Sequence, residues 1–209
     1  YNSEYLAQDG HQVWLKILNR YQVANVSTPL FYYRQHTDSM SKDTKRILQA
    51  RREIKRDLVN RDKGAIRVKV GGIIPAKNTY GDIDNICLRA IGGKPLIDYS
   101  LEAAFQSKSL DWVLVASDDR AVLDHCASLF PSVLGYLRPI ELSHSHVRLA
   151  EVVSDAVSHM ETEYQHFPDA LAVLNVHTPL RIGADIDEAL DTLQLYNVDS
   201  VISVYEDLD

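Results

Sequence analysis

Beyond Gly64 the chain alternates short apolar runs with amphipathic stretches, and this alternation limits the folds open to it. The apolar runs fall at 68–75, 112–117, 170–176 and 200–204. Between them, apolar residues recur at helical spacing over 95–106, 119–129, 148–164 and 184–196. Short strands that are apolar throughout must be covered on both sides, and helical crossovers provide that cover. The pattern therefore predicts an α/β fold: a Rossmann-like, mainly parallel sheet with helices on both faces. Right-handed crossovers line up the loops that follow the strands along one edge, where such folds bind ligands. Residues 76–94, 117–119 and 175–181 are thus the first candidates for a site.

The first 64 residues read differently, as a small, mostly helical segment. Val13, Trp14, Ile17 and Leu18 lie at helical spacing behind Asp9, which suits a helix cap. Two short strand candidates follow at 23–26 and 30–34, then a polar loop. The stretch 44–60 predicts a very basic helix with a thin apolar stripe of Ile47, Ile54 and Leu58. Charge marks the same division. Residues 1–65 carry 12 Lys and Arg against 7 Asp and Glu, and residues 66–209 carry 10 against 22. Two units are expected, 1–64 and 65–209. An anionic ligand of the second would be met by a few local cations against an acidic background. The basic helix lacks the aromatic residues that stack on bases, so no nucleic-acid partner is expected.

With 45% apolar residues the chain can bury a core. No apolar run approaches the roughly 20 residues of a membrane helix, and no signal peptide is visible. The two cysteines, Cys87 and Cys126, are far apart and form neither a disulfide framework nor a zinc pattern. These features suit a cytoplasmic protein. The chain opens on Tyr1 in polar, helix-like sequence and reads as a piece of a longer protein.

The first apolar run leads into IIPAKNTYGDIDNICLRAIGGKPLI. This matches neither GxGxxG nor the GxxxxGK[ST] phosphate loop. Yet a strand ends near Pro75, an irregular stretch follows, and a helix opens at Pro95 after Gly92-Gly93-Lys94. Proline at the first helical position would leave backbone N–H groups open toward the loop. Lys77 and Lys94 are the cations available to phosphates. Asp118 and Asp119 would cap the helix after the second strand. His144 and His146 alternate without a third metal ligand in view. Cys87 is expected to be buried and inert.

This segment resembles the N-terminal signature of acylneuraminate and related acidic-sugar cytidylyltransferases, without a gap. WVLVASDDRAV, YLRPIEL, LNVHTPLRIGADIDEAL and DSVISVYE resemble further family segments in the same order. The resemblance covers residues 66–209. It implies a sheet of the nucleotide-diphospho-sugar transferase type and CMP transfer from CTP to an acidic sugar of sialic-acid or Kdo type, for surface polysaccharide synthesis. It implies that Lys77 and Lys94 act on the phosphates. Ala76, Lys77, Asn78, Thr79, Lys94, Ser117 and Arg138 would bind the nucleotide. Asn175, His177, Thr178 and Arg181 would face the sugar, with Arg181 suited to its carboxylate. Mg²⁺ is expected from the family, with its ligands in a later segment, and a homodimer is the family's habit. The loop departs from the family where two glycines are replaced by Asn78 and Thr79, and where lysines are replaced by Gly81 and Ile86. A degenerate, non-catalytic module is therefore the alternative.

Residues 1–62 carry a second resemblance. AQDGHQVWLKILNRYQVANVSTPLFYYRQHTDSMS resembles the end of the catalytic domain of family-two glycosyltransferases. On that resemblance Asp9 matches the catalytic base, and Arg34 and His36 match a Tyr-Arg-x-His segment. The nucleotide-binding half of such an enzyme would lie upstream, so this piece alone is expected to be inactive. The two resemblances together suggest a parent protein that couples sugar activation to glycosyl transfer.

Overall fold

The structure is a computed structural model that describes residues 43–62, 68–80, 82–196 and 198–204. Asp9, Arg34, His36, and the helix and strands expected between 9 and 34 lie outside the described residues. The chain divides into two compact units. One is Tyr1–Ala65 with Asp191–Ser200, and the other is Ile66–Leu190 with Val201–Asp209.

In the first unit, α1 (Thr44–Asp62) is the basic helix. Its apolar stripe is thin but used: Ile54 and Val59 are buried and cluster with Leu195. Arg56 pairs with Asp191 at 3.4 Å, and Lys55 donates to Thr192 at 3.2 Å. Val59 takes the buried place that spacing assigned to Leu58, which is only half-buried.

The second unit is built on β1 (Val70–Ala76), which is buried along its whole length. The loop after it holds a two-residue hairpin, β2 (Ala90–Ile91) and β3 (Lys94–Pro95). Gly92 and Gly93 form its turn with φ of 61° and 91°. A turn with both central residues at positive φ suits glycine at both positions. There follow α2 (Leu96–Gln106), β4 (Trp112–Ser117), α3 (Arg120–Leu129), β5 (Leu134–Leu137), α4 (Leu149–Glu163), β6 (Ala170–Val173) and α5 (Gly183–Tyr196). The main sheet runs β5-β4-β1-β6, with all neighbours parallel. Register is set by pairs such as Gly71 with Trp112, Val70 with Ala170, and Leu114 with Leu134.

Side-chain alternation sends the strands into two cores. Val70, Ile74, Ala76, Val113 and Val115 pack with Leu96, Ile97 and Leu101 of α2, Val122 of α3, and Ile186 and Leu190 of α5. Ile73, Leu114 and Ala116 point the other way, onto Ala156 and Met160 of α4. Helices thus cover both faces, as the apolar runs predict. Each fully buried Ile, Leu or Val contributes about 2 kcal/mol.

Three expectations are corrected. Residues 201–204 form no strand; Ile202 and Val204 are exposed and join no ladder. An apolar run becomes a strand only where a neighbour supplies hydrogen bonds, and none among the described residues pairs with it. Second, α2 starts at Leu96, and its first N–H groups are not open. The loop folds back on them, so that Leu96 N donates to Arg89 O and Ile97 N to Cys87 O, both at 3.0 Å. Third, Asp119 alone caps α3, accepting from Ala121 N at 2.8 Å, and Asp118 turns into the loop. Strand β5 lies inside a stretch that no period marked.

Candidate functional site at the strand ends

Strand order reverses at β1: β4 and β5 lie on one side of it and β6 on the other. The loops after β1 and β6 leave neighbouring strands at the same edge, one leading into α2 and the other into α5 on one face of the sheet, and α/β folds hold ligands in a crevice at that edge. Every site residue expected in the second unit sits on β1 or β4, or on a loop that follows β1, β5 or β6.

The loop after β1 is organised by one side chain. Asn78 is buried, and its Nδ2 donates to Asn85 Oδ1 at 3.1 Å and to Asp119 Oδ2 at 2.5 Å. Its Oδ1 accepts from Cys87 N at 3.3 Å. Its own N–H donates to Asp118 Oδ1 at 2.9 Å, and its carbonyl accepts from Ile86 N at 3.0 Å. Asn85 takes positive φ to make this fold. The side chain that replaces a family glycine is thus the internal brace of the loop. Ser117 is equally internal: its Oγ donates to Ala76 O at 2.8 Å and accepts from Asp119 N at 3.1 Å. Ala76 is fully buried, and Thr79 is exposed and donates to Asp84 Oδ1 at 3.2 Å. Burial pushes the Cys87 thiol up to about 12, which leaves it a neutral, inert group, and Cys126 behaves alike.

The cations are placed differently from one another. Lys77 lies over the Tyr80 ring, 5.2 Å from its centroid. Among the described residues no carboxylate pairs with it. Lys94 is committed locally: it pairs with Glu102 and lies 4.0 Å over the Tyr99 ring. Arg138, on the loop after β5, is buried. Its Nε donates to Ser143 Oγ at 3.0 Å. Its Nη2 stands 3.6 Å from Asp118 Oδ2, outside hydrogen-bond range, and has no hydrogen-bond partner.

The loop after β6 gathers Asn175, Thr178 and Arg181. Arg181 Nη2 donates to the carbonyls of Asn175 and Thr178 and to the Thr178 hydroxyl. Those partners are neutral. Burial accordingly holds the Arg181 guanidinium below its ordinary value. Its Nη1 is buried and unpartnered. Among the described residues, Arg138 Nη2 and Arg181 Nη1 are the two buried side-chain polar atoms without a partner. A buried, unsatisfied donor on a charged group costs about 1–3 kcal/mol or more, which a bound acceptor would recover. Both lie on loops at the binding edge.

His177 meets Tyr80 edge to face, with centroids 4.5 Å apart. Sequence reasoning named His177 but not Tyr80, because nothing in the spacing shows that the two loops touch. His144 and His146 stack at 5.6 Å, and both are exposed. Among the described residues no three His, Cys, Asp or Glu side chains converge as metal ligands. Asp118 and Asp119 border the loop but are engaged by Asn78, Arg138 and Ala121. The described residues do not by themselves fit a divalent ion.

A parallel sheet with a reversal at β1, a braced loop after that strand and guanidinium nitrogens without hydrogen bonds on the loops after β5 and β6 make an α/β unit suited to an anionic ligand at its strand ends. Residues 72–203 match the cytidylyltransferase family, and the chain belongs to it. It is similar to a 3-deoxy-manno-octulosonate cytidylyltransferase of Chlamydia trachomatis serovar A, 32% identical over 141 residues, covering 66% of this chain and 51% of that protein. It is also similar to an N-acylneuraminate cytidylyltransferase of Escherichia coli O18:K1:H7, 31% identical over 140 residues, covering 66% of this chain and 32% of that protein. The chain thus spans about half or less of the length of these relatives. A solved CMP:2-keto-3-deoxy-manno-octonic acid synthetase complexed with CTP is 22% identical, with a TM-score of 0.47, covering 60% of this chain and 47% of that one. No helix among the described residues is long and apolar enough to cross a membrane.

Proposed function

We propose that the second unit binds CTP at the strand-end crevice and serves CMP transfer to an acidic sugar of sialic-acid or Kdo type. The observation that carries this reading is the pair of buried, unpartnered guanidinium nitrogens on Arg138 and Arg181. Arg138 has Asp118 beside it but its Nη2 makes no hydrogen bond, and Arg181 has only neutral partners, so a bound anionic acceptor would satisfy both. In this reading Lys77 attracts the phosphates, Arg138 contacts the nucleoside, and Arg181 receives the sugar carboxylate. A sugar hydroxyl attacks the α-phosphorus, its proton passes to solvent, the bond from that phosphorus to the α–β bridging oxygen breaks, and pyrophosphate leaves with that oxygen. The described residues position the two substrates and offset charge. Mg²⁺ belongs to the reading as a partner of the CTP phosphates that the described residues do not themselves hold.

The second reading is a non-catalytic module, and the braced loop favours it. The N–H groups of Asn78, Ile86, Cys87, Leu96 and Ile97 are already bonded within the protein, and Lys94 is held by Glu102. The glycosyltransferase reading rests on Asp9 and belongs to the parent protein. Pyrophosphate release by the full-length protein, with CTP, Mg²⁺ and either Kdo or N-acetylneuraminate, separates these readings. Release with one of the sugars is expected. Arg181→Lys should raise the sugar KM about tenfold, and by more than it raises the CTP KM, since lysine cannot present a planar pair of donors. CTP binding without release would favour the module.

A further inference from the structure

The loops after β1 and β6 meet through two rings, Tyr80 and His177, and the reading above gives neither a role toward CTP. Tyr80 comes from the loop after β1, and His177 from the loop after β6. Their rings meet edge to face at 86°. Tyr80 also carries the Lys77 ammonium on its ring. Tyr80 is fixed on its own side, because its N–H and carbonyl each bond with Ile83 at 3.0 Å. His177 is fixed by a turn in which Thr178 N donates to Asn175 O at 3.3 Å and Arg181 clamps the same carbonyl. Burial raises the pKa of the Tyr80 hydroxyl, with smaller contributions from Cys87, Arg138 and Asp118.

We propose that Tyr80 and His177 form a clasp across the crevice that holds the Lys77 ammonium in place for an incoming phosphate. The two rings are positioning residues that act through Lys77. The inference rests on the CTP reading for its ligand, but the clasp itself is a property of the free protein. An unrestrained lysine loses rotamer freedom when it engages a phosphate. The cation–ring contact and the edge-to-face pair restrain Lys77 beforehand, so part of that loss is met before the nucleotide arrives. The clasp also links the sugar-side loop to the phosphate-side loop, so that a change at His177 is felt at Lys77.

Two measurements on the full-length protein test the clasp. The first is calorimetric titration with CTP and Mg²⁺ in a double-mutant cycle. His177→Ala should weaken CTP binding roughly three- to tenfold in the wild-type background. In the Lys77→Ala background the same change should shift binding less than twofold. An equal loss in both backgrounds, or tighter binding by His177→Ala, overturns the proposal. The second needs no nucleotide. The side-chain resonances of Lys77 should be displaced upfield by the Tyr80 ring, lose that displacement in Tyr80→Leu, and shift again in His177→Ala. Lys77 resonances that ignore both changes overturn the clasp even if CTP binds. If CTP does not bind while the resonances respond as expected, the clasp stands and the CTP reading fails.

Discussion

Replacing Gly183 with alanine is expected to lower the melting temperature of the protein by roughly 5–10 °C. Gly183 is the first residue of α5, and its α-carbon faces the end of α2. A Cβ there would sit 2.6 Å from the carbonyl carbon of Gln106 and 2.7 Å from Ser107 N. Both are backbone atoms, so no rotamer change relieves the clash. The contact is reinforced nearby: Asp187 of α5 accepts from Ser107 Oγ at 2.6 Å, Lys108 N at 2.9 Å and Ser109 N at 3.1 Å. The helix must therefore move away from a network that anchors it, at a cost of about 3 kcal/mol. Gly135→Ala is the control. Its Cβ would meet Leu123 at 3.9 Å, an ordinary contact, and its melting temperature should stay within about 2 °C of wild type. Differential scanning fluorimetry of the two variants decides the point; equal melting temperatures would contradict the packing described.

Asn78→Ala is the second large effect. The side chain makes three hydrogen bonds, to Asn85, Asp119 and Cys87 N, at a site only 5% exposed. Truncation strands the buried Cys87 N–H and removes a donor from the Asp119 carboxylate. The expected loss is about 2–4 kcal/mol, larger than a single neutral hydrogen bond. Thr79→Ala, one residue on, breaks an exposed bond to Asp84 and should cost under about 1 kcal/mol. Urea unfolding of both variants measures the difference. The loop would then be braced by Asn78 where the family relies on glycines, and Asn78→Ala should also loosen hydrogen exchange at Cys87 and Ile86. Unchanged protection at those two amides would argue that another residue holds the loop.

Much of the fold is written in the sequence because the parallel sheet is covered on both faces. Residues 112–117 read as a strand and are one, since every position from Val113 to Ser117 is buried. The helices at 120–129 and 149–163 follow from periodicity within one residue at each end. Strand β5 escaped because Leu134, Gly135, Tyr136 and Leu137 are half-buried or exposed, so neither an apolar run nor a clean alternation marks an edge strand. The run at 200–204 misled for the opposite reason: apolar content alone does not supply a ladder partner.

The candidate site was legible as a set of loops, and less so as chemistry. Asn175, Thr178 and Arg181 are close in sequence and do come together. Lys77 and Lys94 look alike in sequence, but Tyr99 and Glu102, one and two turns into α2, claim Lys94. Asn78 reads as a lost glycine until its side chain is seen inside the loop. The Tyr80–His177 contact depends on the sheet order, which brings residues about a hundred positions apart into one crevice.

The central claim is that the strand-end crevice is a CTP site completed by one guanidinium nitrogen each of Arg138 and Arg181 that makes no hydrogen bond in the free protein. Calorimetric titration of the full-length protein with CTP and Mg²⁺, for the wild type and for Arg138→Lys, tests it most directly. Lysine keeps a positive charge beside Asp118 but cannot offer the second guanidinium nitrogen. The account predicts saturable CTP binding by the wild type, weakened about tenfold or more in Arg138→Lys, with the thermal unfolding of the two proteins within a few degrees. No heat of binding in the wild type, or equal affinity in the variant, would contradict it.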